Sequence, residues 1–579
     1  MTILDRVKAT PESDWPVATA DLSGPKRFFG LYGGEHIAAT EFVIGATLVQ
    51  YGCTAFDILV GLAIGNLLAV LSFAFFCAPL AVQTRLTLYT YLGRIAGINV
   101  QKLYNIVFGL GFAALGATGI CISATAVRRI FDVPIQHEWY PTSLGFIAIV
   151  LALGIVIVFV AANGFEGISK FAARCVPWMI VLFGLSYICV MPELARVTGY
   201  GAITSPIDVF NVLDQQVWNA SQFHGTERLG IWHVAAFAWT CNVALHIGLN
   251  DMAVLRYAKS TKYGYISAMG MFIGHYFAWI GAGIMGAAAS FVLNTDLALL
   301  DSGEVSFTVL GYAGLLGVII AGWTTANPTI YRVSLSFNAV FKNVSYKHMT
   351  YIMGALIVAA ACFPVVQQAN NVLTYLGLLI EGMGVVCITE HFVFPRIGYT
   401  RYWNLYRHNK TNWAALLSWG LSLAFFAVMF LFQPIHQNFW FIPEFFVAMI
   451  SYIVLAGLMG AKQTYSEEAK EEYAYETALQ QYADANHQND TQVEETTLSK
   501  LLTRISFVLL AAMIFCGLYF AAGNMSTENM KSIELELTIG YFVFNAAGFL
   551  VREACGKRIL AANVKGVSDY VLDAESKKV

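Results

Sequence analysis

The sequence predicts an all-α polytopic membrane protein, and three observations carry that prediction. First, 57% of the 579 residues belong to the set AVILMFWYC against 12% charged, and the mean hydropathy is +0.61. Soluble proteins carry about a quarter charged residues, so this chain has too little charge to wet the surfaces of several soluble domains. Second, apolar runs of the roughly 20 residues that a helix needs to cross a bilayer recur along the chain. Third, Lys and Arg collect in alternate connections between those runs, as expected of inward-facing loops. The formal net charge of −3 lacks the basic excess of a nucleic-acid binder, and no nucleic-acid partner is expected.

Taken in order, residues 1–27 are polar, contain Pro11, Pro16 and Pro25, and read as a cytoplasmic N-terminal segment. No removable signal peptide is expected; the first membrane helix serves as its own targeting signal. About fourteen spans follow. Their approximate ranges are 28–50, 57–82, 103–127, 143–162, 171–191, 232–255, 265–292, 308–331, 349–366, 371–394, 413–433, 440–461, 501–522 and 535–552, numbered 1 to 14 below. With the N-terminus inside, the inner loops hold Arg85, Arg94, Lys102, Lys170, Arg174, Arg256, Lys259, Lys262, Lys342, Lys347, Arg396, Arg401, Arg407 and Lys410. The outer loops near 293–307, 367–370 and 434–439 hold no Lys or Arg, and Arg128 and Arg129 are the main exceptions on that side. Both termini are therefore expected in the cytoplasm, with the chain in the plasma (inner) membrane.

Two longer connections stand out. Residues 192–231 form an outer connection with a short helix expected around Asp208–Trp218. Residues 463–500 form an acidic cytoplasmic linker that opens at Ser466-Glu467-Glu468, and Glu471–Ala485 is polar all round, so that stretch is expected to be solvated. The ten cysteines are scattered without a C-x-x-C pair and read as packing residues, neither disulfide framework nor metal site.

Function is sought among polar groups that hydrocarbon penalises. In span 6, Trp239, Asn242, His246 and Asn250 are spaced at 3, 4 and 4, one helical face, with Asp251 beside it. In span 8, Thr324, Asn327, Tyr331 and Ser334 share a face, Thr325 is adjacent, and Pro328 interrupts the backbone ladder there. Span 1 places Gly34, Ala38, Glu41 and Gly45 together, while Glu35 and His36 read as near enough to an interface to be hydrated. Span 10 groups Gly377, Glu381 and Gly384. Mid-membrane carboxylates such as Glu41 and Glu381 usually mark a proton or cation path, and broken helices supply ion and substrate sites from free backbone groups. There is no H-E-x-x-H, no G-x-S-x-G and no phosphate-binding loop, so no enzyme is expected and no catalytic residue is assigned.

Several stretches resemble the nucleobase–cation symporter family, and within it the purine/cytosine-permease branch. They are Asp57 to Leu68, ending Gly65-Asn66-Leu67-Leu68; Trp323-Thr324-Thr325 followed by Tyr331; Asn370-Asn371 opening span 10; Asn412-Trp413-Ala414-Ala415 opening span 11; and Arg256 after span 6. The resemblance covers residues 28–435. It implies a LeuT-type fold: a ten-helix transporter core over 28–396 made of two inverted five-helix repeats, with helices 11–12 over 397–462 outside it. Helices 13–14 (501–552) and a cytoplasmic tail (553–579) are additions to the typical pattern. The resemblance further implies a sodium site in which Thr324 and Thr325 supply hydroxyls and the backbone near Ala38 and Ala39 supplies carbonyls. It places Asn327 among substrate contacts and Ala244–Gly248 in an unwound substrate segment. Span 3 departs from the family, for Gly111–Thr118 has only Phe112 as an aromatic residue and no glutamine, where a tryptophan with a glutamine nearby is usual.

The expected function is a secondary-active, cation-coupled symporter that imports a small polar, nitrogenous metabolite, nucleobase-like heterocycle or amine, by alternating access. Its substrate residues are Glu41, Phe112, Thr118, Trp239, Asn242, His246, Asn327 and Glu381. Sodium is the coupling ion if Thr324 and Thr325 complete an oxygen site, and protons are if Glu41 and Glu381 titrate. No other cofactor is expected; the partners are the small-molecule substrate and the lipid bilayer, and no oligomeric state is assigned. The alternative is a membrane sensor on a transporter scaffold, signalling through 463–500 and helices 13–14.

Overall fold

The computed structural model describes residues 2–560 apart from 222, 224, 226, 227, 364–368 and 487–490. The greater part of the expected tail, 561–579, therefore lies outside the described residues, as do parts of the 192–231 connection, the 367–370 loop and the 463–500 linker. Among the described residues eleven helices are long and apolar enough to cross a membrane, and the chain is a multi-pass membrane protein. The eleven leave out spans 1, 6 and 9. Span 9 is a helix of 16 residues, Tyr346–Ala361. Spans 1 and 6 are broken in the middle, which a count of apolar residues does not register.

Span 1 consists of Pro25–His36 and Ala39–Gln50, separated at Ile37 (φ −92°, ψ 71°) and the extended Ala38. Span 6 consists of Ile231–Thr240, a single turn Val243–His246, and Met252–Leu255 after Leu249 at φ +60°. The Asn250 amide holds the second break, donating to the Ala244 carbonyl at 2.7 Å. Two sequence expectations are corrected here. The unwound stretches flank Val243–His246 instead of coinciding with 244–248. The faces drawn through Gly34, Ala38, Glu41 and Gly45, and through Trp239, Asn242, His246 and Asn250, do not exist, because the helical phase is lost at each break.

The broken spans sit in equivalent settings. The first half of span 1 packs on span 5 and its second half on span 7; the first half of span 6 packs on span 2 and its short middle turn on span 10, while spans 3 and 8 pack on each other. Glycine permits these approaches. A Cβ on Gly65 would lie 2.2 Å from the Ala235 carbonyl oxygen, and one on Gly45 would lie 2.5 Å from the Ala282 Cβ. Span 7 contains a π-helical stretch, Met269–Ala278, which is a common mark of functional positions. Span 8 runs from Ser302 to Val340, with Asp301 capping the Glu304 amide and a kink at Gly311 (φ +61°). Arg128 and Arg129, the exceptions to the charge pattern, are neutralised there: Arg128 pairs with Asp301 at 2.8 Å and Arg129 with Glu304 at 3.3 Å.

Helices 13 and 14 (Thr497–Ala521 and Thr527–Cys555) pack together and onto spans 5 and 8. The Trp178 indole donates to Thr538 at 3.0 Å, and the Tyr541 hydroxyl donates to the Arg174 carbonyl at 2.6 Å. The Lys531 ammonium donates to the Thr308 carbonyl at 2.7 Å, beside the Gly311 kink. The linker is a helix, Ser466–Asn486, tied after its end by an antiparallel pairing of Thr491–Val493 with Arg558–Leu560. It is not solvated all round. Glu472, Tyr475, Glu476, Leu479, Gln480 and Ala483 are buried against the N-terminal segment and span 2–3 loop, through Arg6–Glu472 and Arg94–Glu476 pairs at 2.6 Å. Charged residues can line a buried face when each meets an opposite charge, which residue-by-residue polarity does not reveal.

Candidate functional site

Both broken spans open onto one cavity of about 50 Å³. Span 1 contributes Glu35, His36, Thr40, Glu41 and Ile44; span 3 contributes Phe112 and Leu115; span 6 contributes Cys241, Asn242, Ala244 and Leu245. His275 of span 7, Thr325 and Thr329 of span 8, and Leu373 and Leu376 of span 10 complete the wall. Such a volume holds a few water molecules or one small ion, well short of the about 300 Å³ or more of a drug-sized pocket.

Glu41, buried in the first turn of the second half of span 1, accepts a hydrogen bond from the Trp279 indole N–H. Its other oxygen lies 3.8 Å from His275 Nε2. The His275 ring stacks on Trp279 at 4.3 Å between centroids and meets His36 edge-on at 5.0 Å, and its Nε2 also faces the Asn242 amide at 3.3 Å. His36 is anchored by Nδ1 against the Tyr32 carbonyl at 2.9 Å. The site thus gathers a carboxylate, two imidazoles and an amide where the first halves of spans 1 and 6 end.

Beneath it lies a charge cluster. Arg332 of span 8, fully buried, pairs through both terminal nitrogens with Glu35 and through one of them with Asp251 at the end of span 6. Tyr32 donates to the second Asp251 oxygen at 2.8 Å. One guanidinium therefore joins both broken spans to span 8. Along span 8, Thr325 and Thr329 face the cavity, Arg332 follows, and Leu335 and Asn338 line a vestibule of about 1020 Å³ walled on its far side by Trp15 to Ala18 of the N-terminal segment. The cluster separates the two spaces. Glu35 is buried in this pair, against the expectation that it is hydrated near an interface.

The structure brings Glu41, Phe112, Asn242 and Thr325 to the cavity wall. It places other expected residues elsewhere. The Thr118 hydroxyl donates to Ala114 within its own helix. Trp239 donates to Ser72 at 3.1 Å, and His246 holds the Trp239 carbonyl at 3.1 Å with its ring against Phe73. Asn327 faces span 4: with the amide oriented to satisfy both groups, its nitrogen donates to the Ile157 carbonyl and its oxygen accepts from Trp323. Glu381 is fully buried away from the cavity, within Coulombic reach of Glu444 of span 12, and its own carboxyl has no hydrogen-bond partner among the described residues.

The expected ion ligands are mixed. Thr324 donates to Ile320 and Ala321, and Thr325 to Ala321 at 2.9 Å, so each hydroxyl oxygen keeps lone pairs for a cation. The Ala38 carbonyl already accepts from the Glu41 amide at 3.2 Å. Thr325 on the cavity wall and the interrupted backbone at 37–38 are hard oxygen donors of the type that suits sodium; an ion there would tie span 1 to span 8.

Arg332, Asp251 and His275 are absent from the sequence-derived site. Arg332 stands one residue beyond the expected end of span 8, and a lone arginine followed by Val-Ser-Leu-Ser-Phe in an apolar helix was the available signal. For His275 the signal was its flanking by Gly270 and Gly274: a Cβ on Gly274 would lie 2.4 Å from the His36 carbonyl oxygen.

Two broken helices facing one cavity, each opening a repeat, define the LeuT-type transporter fold. The chain is similar to Mhp1, a nucleobase-cation-symport-1 family transporter, in a closed conformation with bromovinylhydantoin bound: TM-score 0.61 and 16% identity over 82% of this chain and 99% of that one. The inward-facing conformation of Mhp1 gives 0.56 and 15% over 80% and 97%. A substrate-bound, outward-open sodium-coupled sialic acid symporter gives 0.54 and 15% over 79% and 95%. At these identities the likeness is one of fold. The sequence matches no family model and no curated protein.

Proposed function

We infer that the chain is a secondary-active symporter that moves a small polar, nitrogen-bearing solute across the membrane together with a cation, by alternating access. The observation that carries this reading is the meeting of both broken spans at one cavity, with polar groups from four different spans on its wall. Such a cavity at the midpoint of a two-repeat bundle is where transporters hold substrate and coupling ion. The Arg332 cluster supports the alternating part: it bonds spans 1, 6 and 8 on the side of the vestibule, and opening that side requires it to rearrange. The asymmetry of Lys and Arg supports placing this side, and both termini, in the cytoplasm of a plasma (inner) membrane.

Asn242 and His275 offer hydrogen bonds, and Phe112 an apolar ring, to a nitrogenous solute; the hydantoin bound by Mhp1 is a precedent in fold for that class. Sodium is favoured as the coupling ion by Thr325 and the span 1 break, and the sodium coupling of the sialic acid symporter is a further precedent. Uptake into proteoliposomes tests the reading. Solute accumulation driven by an inward sodium gradient is expected, and Glu41→Gln is expected to abolish it while leaving the protein monodisperse. Accumulation driven only by a proton gradient would transfer the coupling to Glu41 and His275. Wild-type rates in Glu41→Gln would remove Glu41 from the mechanism.

A further inference from the structure

Glu35 is the one residue shared by the cavity and the Arg332 cluster. It occupies the last turn before the break in span 1, so its carboxylate can turn without moving either half-helix as a whole. The cluster holds two carboxylates against one guanidinium, and Glu41 adds a further acid to the cavity wall, which carries no Lys or Arg. Buried acidic groups in excess of cations favour a positive ligand strongly, since little water is present to compensate them.

We propose that the solute is a small organic cation of the amidinium, guanidinium or ammonium class, which binds Glu35 from the cavity and displaces Arg332 from it. This rests on the transport reading and specifies its substrate and its gate. A carboxylate has about four lone-pair positions, and Arg332 takes one on each oxygen of Glu35 through its two terminal nitrogens. A cation arriving in the cavity competes for the same oxygens. As Glu35 turns to it, Arg332 keeps Asp251, the bond between the first half of span 1 and span 8 loosens, and the vestibule side is free to open. Occupied and empty sites thus differ in the contact that holds this side shut, which is the differential interaction that coupling requires. Phe112 on the cavity wall supplies an aromatic ring suited to a cation. The cavity volume limits the ligand to a few heavy atoms in this conformation.

Guanidinium and urea, nearly equal in shape and different in charge, test the proposal at millimolar concentration on the full-length purified protein. Guanidinium is expected to raise the melting temperature and urea to leave it unchanged. Glu35→Gln is expected to weaken guanidinium binding by about tenfold or more. Arg332→Gln, which removes the competitor, is expected to bind guanidinium about tenfold more tightly and to gain more stability from it than the parent does. A second readout is labelling of an introduced Leu335→Cys in the vestibule, which guanidinium should accelerate in the parent and which should already be fast with Arg332→Gln. Equal effects of urea and guanidinium, unchanged guanidinium binding in Glu35→Gln, or stabilisation by sodium alone with nothing added by guanidinium would each overturn the proposal. Flux of neutral solutes without preference for cations would overturn it while leaving the symporter reading intact. Glu35-dependent guanidinium binding without guanidinium flux would uphold the site and overturn the assignment of the cation as the transported solute.

Discussion

Arg332 and Asp251 are fully buried and Glu35 meets only the cavity, so the three charges stand or fall together. Removing one member of a buried ion cluster costs about 3–5 kcal/mol, because the remaining charges are left unpaired, whereas removing all of them is far milder. Arg332→Leu is therefore expected to lower stability by about that amount, read as a large fall in melting temperature of the detergent-solubilised protein. Combining it with Glu35→Gln and Asp251→Asn is expected to recover most of the loss. A triple variant no more stable than Arg332→Leu would show that the arginine acts through packing. At this scale the sequence was a partial guide. Glu41, Phe112, Asn242 and Thr325 were legible because a polar or aromatic residue in an apolar run is conspicuous by itself. His246 and Asn327 were equally conspicuous, yet each is consumed by a backbone carbonyl of the protein, and which partner a polar group finds is set across the chain.

The helical elements are interrupted where they meet the site. Span 1 unwinds at Ile37–Ala38, span 6 on both sides of Val243–His246, and span 7 is π-helical over Met269–Ala278. These three meet around His275, which touches His36 and Asn242, and Gly270 and Gly274 let span 7 approach the backbone at the break in span 1. Gly274→Ala places a methyl 2.4 Å from the His36 carbonyl oxygen, which cannot rotate aside. A loss of about 1–3 kcal/mol is expected, as for other overpacked sites. Gly420→Ala, with nothing within 4 Å of its added carbon, is the control and should melt with the parent. Equal melting of the two variants would mean that span 7 can withdraw from the break without cost. Apolar run lengths foretold the existence of these spans; the interruptions were out of reach, because unwinding is favourable only where a neighbouring helix or ligand satisfies the freed backbone groups.

For the whole molecule, the N-terminal segment and the Ser466–Asn486 helix form a cap over the vestibule, joined by Arg6–Glu472, by Thr19 donating its amide to Asp484 at 2.7 Å, and by the Trp15–Tyr482 ring contact. Both glutamates are buried, so replacing Glu472 and Glu476 together with arginine sets like charges against Arg6 and Arg94 and is expected to lower the melting temperature and to speed trypsin cleavage after Arg6 and Lys8 several-fold. Cleavage at the parental rate would mean that the apolar contacts of Val7, Tyr475 and Leu479 hold the cap unaided. Helices 13 and 14 stand in a similar relation to spans 5 and 8, bound by Trp178–Thr538 and Lys531–Thr308, so the additions beyond the ten-helix core touch it at both of its ends.

Composition and run length by themselves determined that this chain crosses a membrane many times, and they made Glu41 and Asn242, both on the cavity wall, conspicuous in spans 1 and 6. These are local properties, fixed by how many apolar residues follow one another and by the cost of a polar group in hydrocarbon. Only the tertiary structure decided where the helices break, that Arg332 joins Glu35 to Asp251, and that Glu381 belongs to another part of the bundle. Those are outcomes of competition among distant partners, 297 residues apart for Arg332 and Glu35. A buried charge is stable only with the particular opposite charge that the fold delivers to it, and no single stretch of sequence contains both.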